Sequence, residues 1–174
     1  MTEPVFPMPR ATPEATLFRD AMAGVASAVH VVTTIGPQGR AGLTANAVAS
    51  VSDAPPTVLV CIARLSRTLA LIESSGVFCI NTLLGEDVEL AEIFASRRGI
   101  DGEARFATRD WRQLTTGAPV LSDAVAAFDC RLVAAHDVAT HRILIGEVVG
   151  LGGFGTKTAE PTSLIYRRRH FEAV

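Results

Sequence analysis

The sequence predicts a mostly β fold with peripheral helices, an antiparallel β-barrel. Three observations carry that expectation. Strand-like runs outnumber helical ones, strands and helices do not alternate in a regular βαβ order, and no strand leads into a GxGxxG turn. The last two disfavour a doubly wound parallel sheet. At 174 residues the chain is long enough to bury a substantial core. The simplest division is a flexible N-terminal arm over residues 1–12 and a single domain over 13–174.

The elements follow in order. Thr12-Pro13 reads as an N-cap and a first-turn proline, predicting a helix over 13–26 with Leu17, Ala21, Met22 and Val25 as its apolar stripe. Residues 29–34 are a β-branched strand, and Gly36-Pro37-Gln38-Gly39 turns it into a second strand over 40–47. The run 58–62 is apolar on both faces, which predicts a buried strand. A short helix over 67–74 stops at Gly76. A strand over 77–82 precedes a helix over 86–95, with Val88, Ala91 and Phe94 on one face. Residues 96–109 are polar and glycine-punctuated, a surface loop. From Ala126, Phe128, Cys130 and Leu132 alternate with Asp129, Arg131 and Val133, the signature of a half-buried strand with the second set outward. Strands over 142–149 and 164–168 complete the set, separated by a loop over 150–161.

Composition removes several function classes. The chain is 48% hydrophobic and 20% charged, which argues against disorder outside the ends. A net charge of −2 and only 6% aromatic residues give no case for nucleic acid or an anionic membrane surface. No run approaches the roughly 20 apolar residues of a membrane span, and the N-terminus has no apolar signal core, so a cytoplasmic protein is expected. Cys61, Cys79 and Cys130 are widely spaced in apolar runs, which reads as reduced core cysteines rather than a disulfide framework or a zinc site.

Few residues suggest chemistry. His30 stands between valines and reads as structural. His136 and His170 read as polar strand ends, and His141 sits in a small-residue turn before an apolar strand. No HxxxH or HxH pair supports a metal site. Asp87, Glu89 and Glu103 are explained by solvation and the helix dipole, and no GxSxG elbow supports hydrolysis. The segment 42–68 is richer. Its small residues Thr44, Ala45, Asn46 and Ala47, followed by Ser50 and Val51, would let a flat ligand approach backbone amides. Ser66-Arg67-Thr68, where a helix begins, is either an N-cap with a solvated arginine or a phosphate seat. From the residues alone, the reading is a β-barrel with a site for a phosphorylated planar ligand.

The chain resembles the flavin reductase-like proteins with the FMN-binding split barrel, from Phe18 to Phe171. The resemblance lies in the order and spacing of Phe18-Arg19-Asp20-Ala21-Met22, Val31-Val32-Thr33-Thr34, Gly42-Leu43-Thr44-Ala45-Asn46, Ser50-Val51-Ser52-Asp53, Asn81-Thr82-Leu83, Arg105-Phe106, Gly117-Ala118-Pro119, Thr140-His141, Gly146-Glu147-Val148 and Leu164-Ile165-Tyr166. It is similar to the reductase component of two-component 4-hydroxyphenylacetate monooxygenases and, about equally, to the cobyrinate (corrin) reductases. The resemblance implies an NADH- or NADPH-dependent reductase binding FMN or FAD, a homodimer that supplies reduced flavin to a partner monooxygenase. It also implies residue roles: Thr44, Ala45, Asn46, Ala47, Ser50 and Val51 at the isoalloxazine, Ser66, Arg67 and Thr68 at the phosphate and ribityl end, Phe106 at the pocket, and His141 beside the nicotinamide. Many relatives carry Gly-Asp before that histidine, where this chain has Ala139-Thr140. An FMN-dependent corrin reductase and a non-catalytic flavin-binding module are the alternative expectations.

Overall fold

The computed structural model describes residues 13–153 and 162–174. The expected arm over 1–12 and the greater part of the expected 150–161 loop lie outside the described residues. Along them run α1 (Pro13–Ala23), β1 (Ser27–Ala28), β2 (His30–Gly36), β3 (Gly39–Ala45), β4 (Val48–Asp53), β5 (Pro56–Ala63), α2 (Arg67–Ser75), β6 (Val77–Thr82), α3 (Val88–Phe94), a 3-10 helix (Gly102–Phe106), β7 (Trp111–Gln113), β8 (Pro119–Leu121), β9 (Ala126–Val138), β10 (His141–Gly153), β11 (Leu164–Arg167) and β12 (His170–Ala173).

Seven of these strands form one sheet in the order β3-β2-β6-β9-β10-β5-β4, every ladder antiparallel. β3 and β4 are its two edges, yet only Asn46 and Ala47 separate them in sequence. A two-residue link cannot span an open sheet, so the sheet must curl until its edges approach, and the barrel closes on a seam without a ladder. The sequence predicts the antiparallel barrel, and the family resemblance implies its split form. The three-stranded sheet β1-β11-β12, whose β11 and β12 form the C-terminal hairpin, and the ribbon β7-β8 lie outside it.

The core explains why the strands read as they do. β2 and β6 are covered on both faces, so their side chains divide between two clusters. Val32, Phe78 and Ile80 face the barrel interior with Val60, Ile62 and Leu144, and Leu69 and Ile72 of α2 join the same cluster. Val31 and Cys79 face outward against Leu90, Phe94 and Phe106. α2 ends where Gly76 takes φ 72° and its N–H bonds the Ile72 carbonyl, a conformation that costs glycine little. Asn81, fully buried, locks three strands: its Nδ2 donates to Val31 O at 3.0 Å, and its Oδ1 accepts from Leu121 N at 2.8 Å.

Several expectations require correction. The first helix stops at Ala23, and its apolar residues are not core: Leu17 and Phe18 are each 67% exposed and Met22 and Val25 about half exposed. The strand expected over 40–47 ends at Ala45. Segment 48–53, with small and polar residues around its two valines and mostly exposed, is a strand because β5 pairs with it. The 96–109 loop contains the 3-10 helix, with Phe106 buried and Arg105 donating to Ile100 O and Ser96 Oγ, each at 2.8 Å. Asp129 is buried, not outward. Irregular pairing between Val148 and Gly150 lies beside it, and its carboxylate accepts from Thr116 N at 2.9 Å and from the Thr116 hydroxyl. Asp87 is also buried. It accepts from Leu84 N at 3.0 Å and pairs with Arg109, which holds Asp123 as well; burial pushes its carboxyl up and Arg109 opposes that rise.

Gly146, beside a β10 bulge, is a residue whose absent side chain the core requires. A Cβ there would overlap the ring of Phe78 and stand 3.0 Å from Cys130 Cβ, both fully buried. Gly146→Ala should therefore destabilise the protein by about 1–3 kcal/mol, the range for overpacked cores, seen as a lower urea midpoint at unchanged slope. An unchanged midpoint would mean that this part of the barrel is loosely packed.

Candidate functional site

The seam is built from residues that leave backbone uncovered. At the end of β3 the Thr44 hydroxyl donates to Ala91 O of α3 at 2.6 Å, which anchors the strand end. Ala45, buried, pairs with His30, and the exposed Asn46 and Ala47 then cross to β4. Cys61 N donates to Ala47 O at 3.0 Å, starting the β4-β5 pairing. Between Ser50 and Ser52 the register shifts, so Val51 is left out of the ladder and is 51% exposed. As an edge strand, β4 presents unpaired N–H and C=O groups along the seam.

The end of β5 collects the other candidates. Two residues beyond Cys61, Ala63 pairs with His141, the first residue of β10. Arg64 N donates to Thr140 O at 3.1 Å, so this corner and the β9-β10 turn are tied together. His141 is exposed, and its Nδ1 shares a 2.9 Å hydrogen bond with Thr140 Oγ1, which orients the ring and leaves Nε2 free. Ala139 before it takes φ 50°, a left-handed conformation that disfavours any side chain. Ser66 is the N-cap of α2 in extended conformation, and its hydroxyl makes no capping bond. The first-turn N–H groups of α2 are thus open to an outside acceptor. Arg67 is exposed, without a carboxylate partner among the described residues, and lines a groove of about 620 Å³ with Gln38, Arg40, Ala41, Leu71 and Ser74. The Thr68 side chain is buried, so only its backbone N–H is available.

The structure thus brings Ala47, Ser66 and His141 to one corner of the barrel, with Thr44, Ala45 and Asn46 leading to it and Ser50 and Val51 along its edge. Phe106 lies elsewhere, 3% exposed in a cluster with Phe94 and Trp111, its ring centroid 5.1 Å from each, under the Arg40 guanidinium at 4.5 Å. Three other residues meet the site without having been singled out from the sequence. Arg97, Tyr166 and Phe171 line a cavity of about 180 Å³ together with Thr44, Ala45 and Asn46. Tyr166 is the single tyrosine of the chain, but nothing in sequence places the C-terminal hairpin beside β3.

The chemistry of these groups points to ligand holding rather than to proton or thiol catalysis. Among the described residues no serine or cysteine is hydrogen-bonded to a histidine. Burial pushes the Cys130 thiol up to about 12 and Cys79 higher than usual, so neither is a thiolate at neutral pH. His30 is buried, its Nδ1 is 3.1 Å from Thr82 Oγ1, and burial lowers its pKa to about 4, so it is a neutral structural residue.

Comparison with known proteins places these features in context. The family model described as flavin reductase like domain matches residues 22–174. The chain is 49% identical over 160 residues to "FMN reductase (NADH) RutF 2" of Methylorubrum extorquens strain PA1, covering 92% of this chain and 90% of that protein. Among solved structures it is similar to BorF, the flavin reductase component of a bacterial two-component tryptophan halogenase, with a TM-score of 0.82, 27% identity, and 92% and 98% of the two chains covered. It is also similar to the NADH:FAD oxidoreductase SgcE6 of Streptomyces globisporus C-1027 in complex with NAD and FAD fragments, with a TM-score of 0.79, 25% identity, and 94% and 95% covered.

The depressed His30 pKa has a thermodynamic consequence. The unfolded chain takes up a proton near pH 6.5 and the folded chain only near 4, so stability is lost as pH falls between those values. The loss attributable to His30 is about 3 kcal/mol. In urea unfolding from pH 7 to pH 4, His30→Gln should flatten the decline by about that amount; parallel profiles would contradict the assignment.

Proposed function

This chain belongs to the flavin reductase-like family, and from that membership and the geometry of the seam we propose that it is an NADH-dependent FMN reductase. The single observation that carries this reading is the seam itself: an open backbone edge beside Thr44–Asn46, ending at a corner where an uncapped helix start and an oriented histidine meet. The residues present fit a flavin. Small side chains and unpaired backbone suit a flat ring, and the free Ser66 hydroxyl, the α2 first-turn N–H groups and Arg67 suit one phosphate. Bound flavin would supply the hydride acceptor.

The protein's own groups then have defined tasks. Backbone along Thr44–Ala47 and at Ser50 and Val51 holds the ring and leaves one face open. Ser66, Arg67 and the Thr68 N–H hold the phosphate. His141, held by Thr140, positions the nicotinamide so that the reacting atoms lie within reach, a contribution of orientation rather than of proton transfer. FMN is favoured over FAD because the seat provides for one phosphate, and the relative named above is an FMN reductase (NADH). The reduced flavin would pass to a partner monooxygenase or a similar oxygen-using enzyme, as the names of the structural relatives suggest. The chain would work in the cytoplasm as a homodimer. The uncovered apolar side chains of α1, Leu17, Phe18 and Met22, with Val25 just beyond it, support a second copy as their cover.

Purified protein should bind FMN, and NADH should bleach it under anaerobic conditions; failure of NADH to reduce bound FMN would sink the reading. Arg67→Ala should weaken FMN binding about tenfold, equivalent to one charge-assisted contact. His141→Ala should raise the NADH KM several-fold more than it lowers kcat, whereas a collapse of kcat at unchanged KM would contradict a positioning role. Phe18→Asp should convert a dimer to a monomer in analytical ultracentrifugation; an unchanged mass would place the interface elsewhere.

A further inference from the structure

Arg97 stands where the seam meets the C-terminal hairpin, and the reading above gives it no task. It lines the 180 Å³ cavity beside Thr44, Ala45, Asn46 and Tyr166, with its guanidinium 5.7 Å from the ring centroid of Phe171. Nearby arginines have acidic partners: Arg98 pairs with Glu92 and Arg105 with Asp101. Arg97 has none among the described residues. Its position is nevertheless fixed. Arg97 N donates to Glu92 O at 2.9 Å and Ser96 N to Ile93 O at 3.1 Å, so Ser96, at φ 60°, closes α3 as a left-handed cap and sets the chain direction at Arg97. Arg105 holds that cap in place through Ser96 Oγ. An arginine set in place by a helix cap, lining a cavity without a carboxylate partner, is placed to meet a ligand there. A guanidinium beside aromatic rings and small residues gains most from a planar ligand that carries carbonyls or negative charge.

We propose that Arg97 binds the pyrimidinedione edge of the flavin and favours the reduced, negatively charged ring over the neutral oxidised one. The proposal rests on the flavin reading above. Hydride transfer from NADH yields NAD⁺ and a reduced flavin with one negative charge, without a proton drawn from the protein. That charge is carried at the pyrimidine end, where a fixed cation lowers its energy. The dimethylbenzene end carries no group that a guanidinium could bind, so Arg97 also selects which end of the ring enters the cavity.

The test uses Arg97→Gln and Arg97→Lys, with dissociation constants for oxidised and anaerobically reduced FMN and the midpoint potential of the bound flavin. Thermal unfolding of each variant controls for folding, and the exposed position of Arg97 predicts little change. Arg97→Gln should weaken reduced FMN about tenfold more than oxidised FMN, which lowers the bound two-electron potential by about 30 mV. Arg97→Lys should recover part of both effects. An equal loss in the two redox states, or no loss, would overturn the proposal. Absence of FMN binding by the unaltered protein in either state would overturn the flavin reading itself, and this inference with it.

Discussion

The link between β3 and β4 is two residues long, and those strands are the opposite edges of a seven-stranded sheet. That covalent constraint determines the architecture. It forces the sheet to close, and because no ladder forms between β3 and β4, closure leaves a line of backbone groups without partners in the sheet. Ordinarily such an edge is a hazard for aggregation. Here Asn46 and Ala47 keep it short, the bulge at Val51 bends it, and α3 and the C-terminal hairpin flank it. The same features border the place proposed for the flavin ring. On the proposed reading fold and site are therefore one feature: the place where the barrel fails to pair is the place where the flavin would lie.

The corner at the end of β5 extends that logic. Pairing of Ala63 with His141 and the bond from Arg64 N to Thr140 O fix the β9-β10 turn against the start of α2. On the proposed reading, one short segment thus spaces the phosphate seat and His141 at a set separation, as a ligand with a phosphate at one end and a redox-active ring at the other requires. The C-terminal hairpin joins a second pair of surfaces. Its turn bonds α1 through Arg168 N to Ala23 O and through Arg169 to Asp20, while its Tyr166 and Phe171 wall the cavity beside Arg97. The uncovered face of α1 and the wall of the site consequently share one small element.

Much of this was legible in the sequence, for identifiable reasons. Strand 77–82 and the helix stopped by Gly76 are locally determined, by a β-branched and apolar run and by a residue suited to a left-handed conformation. β4 was not legible, because its small, polar and exposed residues carry no strand signal and its pairing with β5 alone makes it one. Asp87 and Asp129 read as solvated; their burial depends on Arg109 and Thr116, 22 and 13 residues away. Thr44–Ala47 and Ser66 could be selected by residue type, and His141 by the family resemblance. Arg97, Tyr166 and Phe171 could not, because the cavity forms only when a distant hairpin docks, and what sets Arg97 in place is the cap that Ser96 forms at the end of α3.

Amide hydrogen exchange of the protein with and without FMN tests the seam as the ligand site most directly. FMN should slow exchange along 44–52 and at the first turn of α2, with β7 and β8 unchanged. Protection confined to other segments, or none at FMN concentrations that saturate binding, would contradict the account.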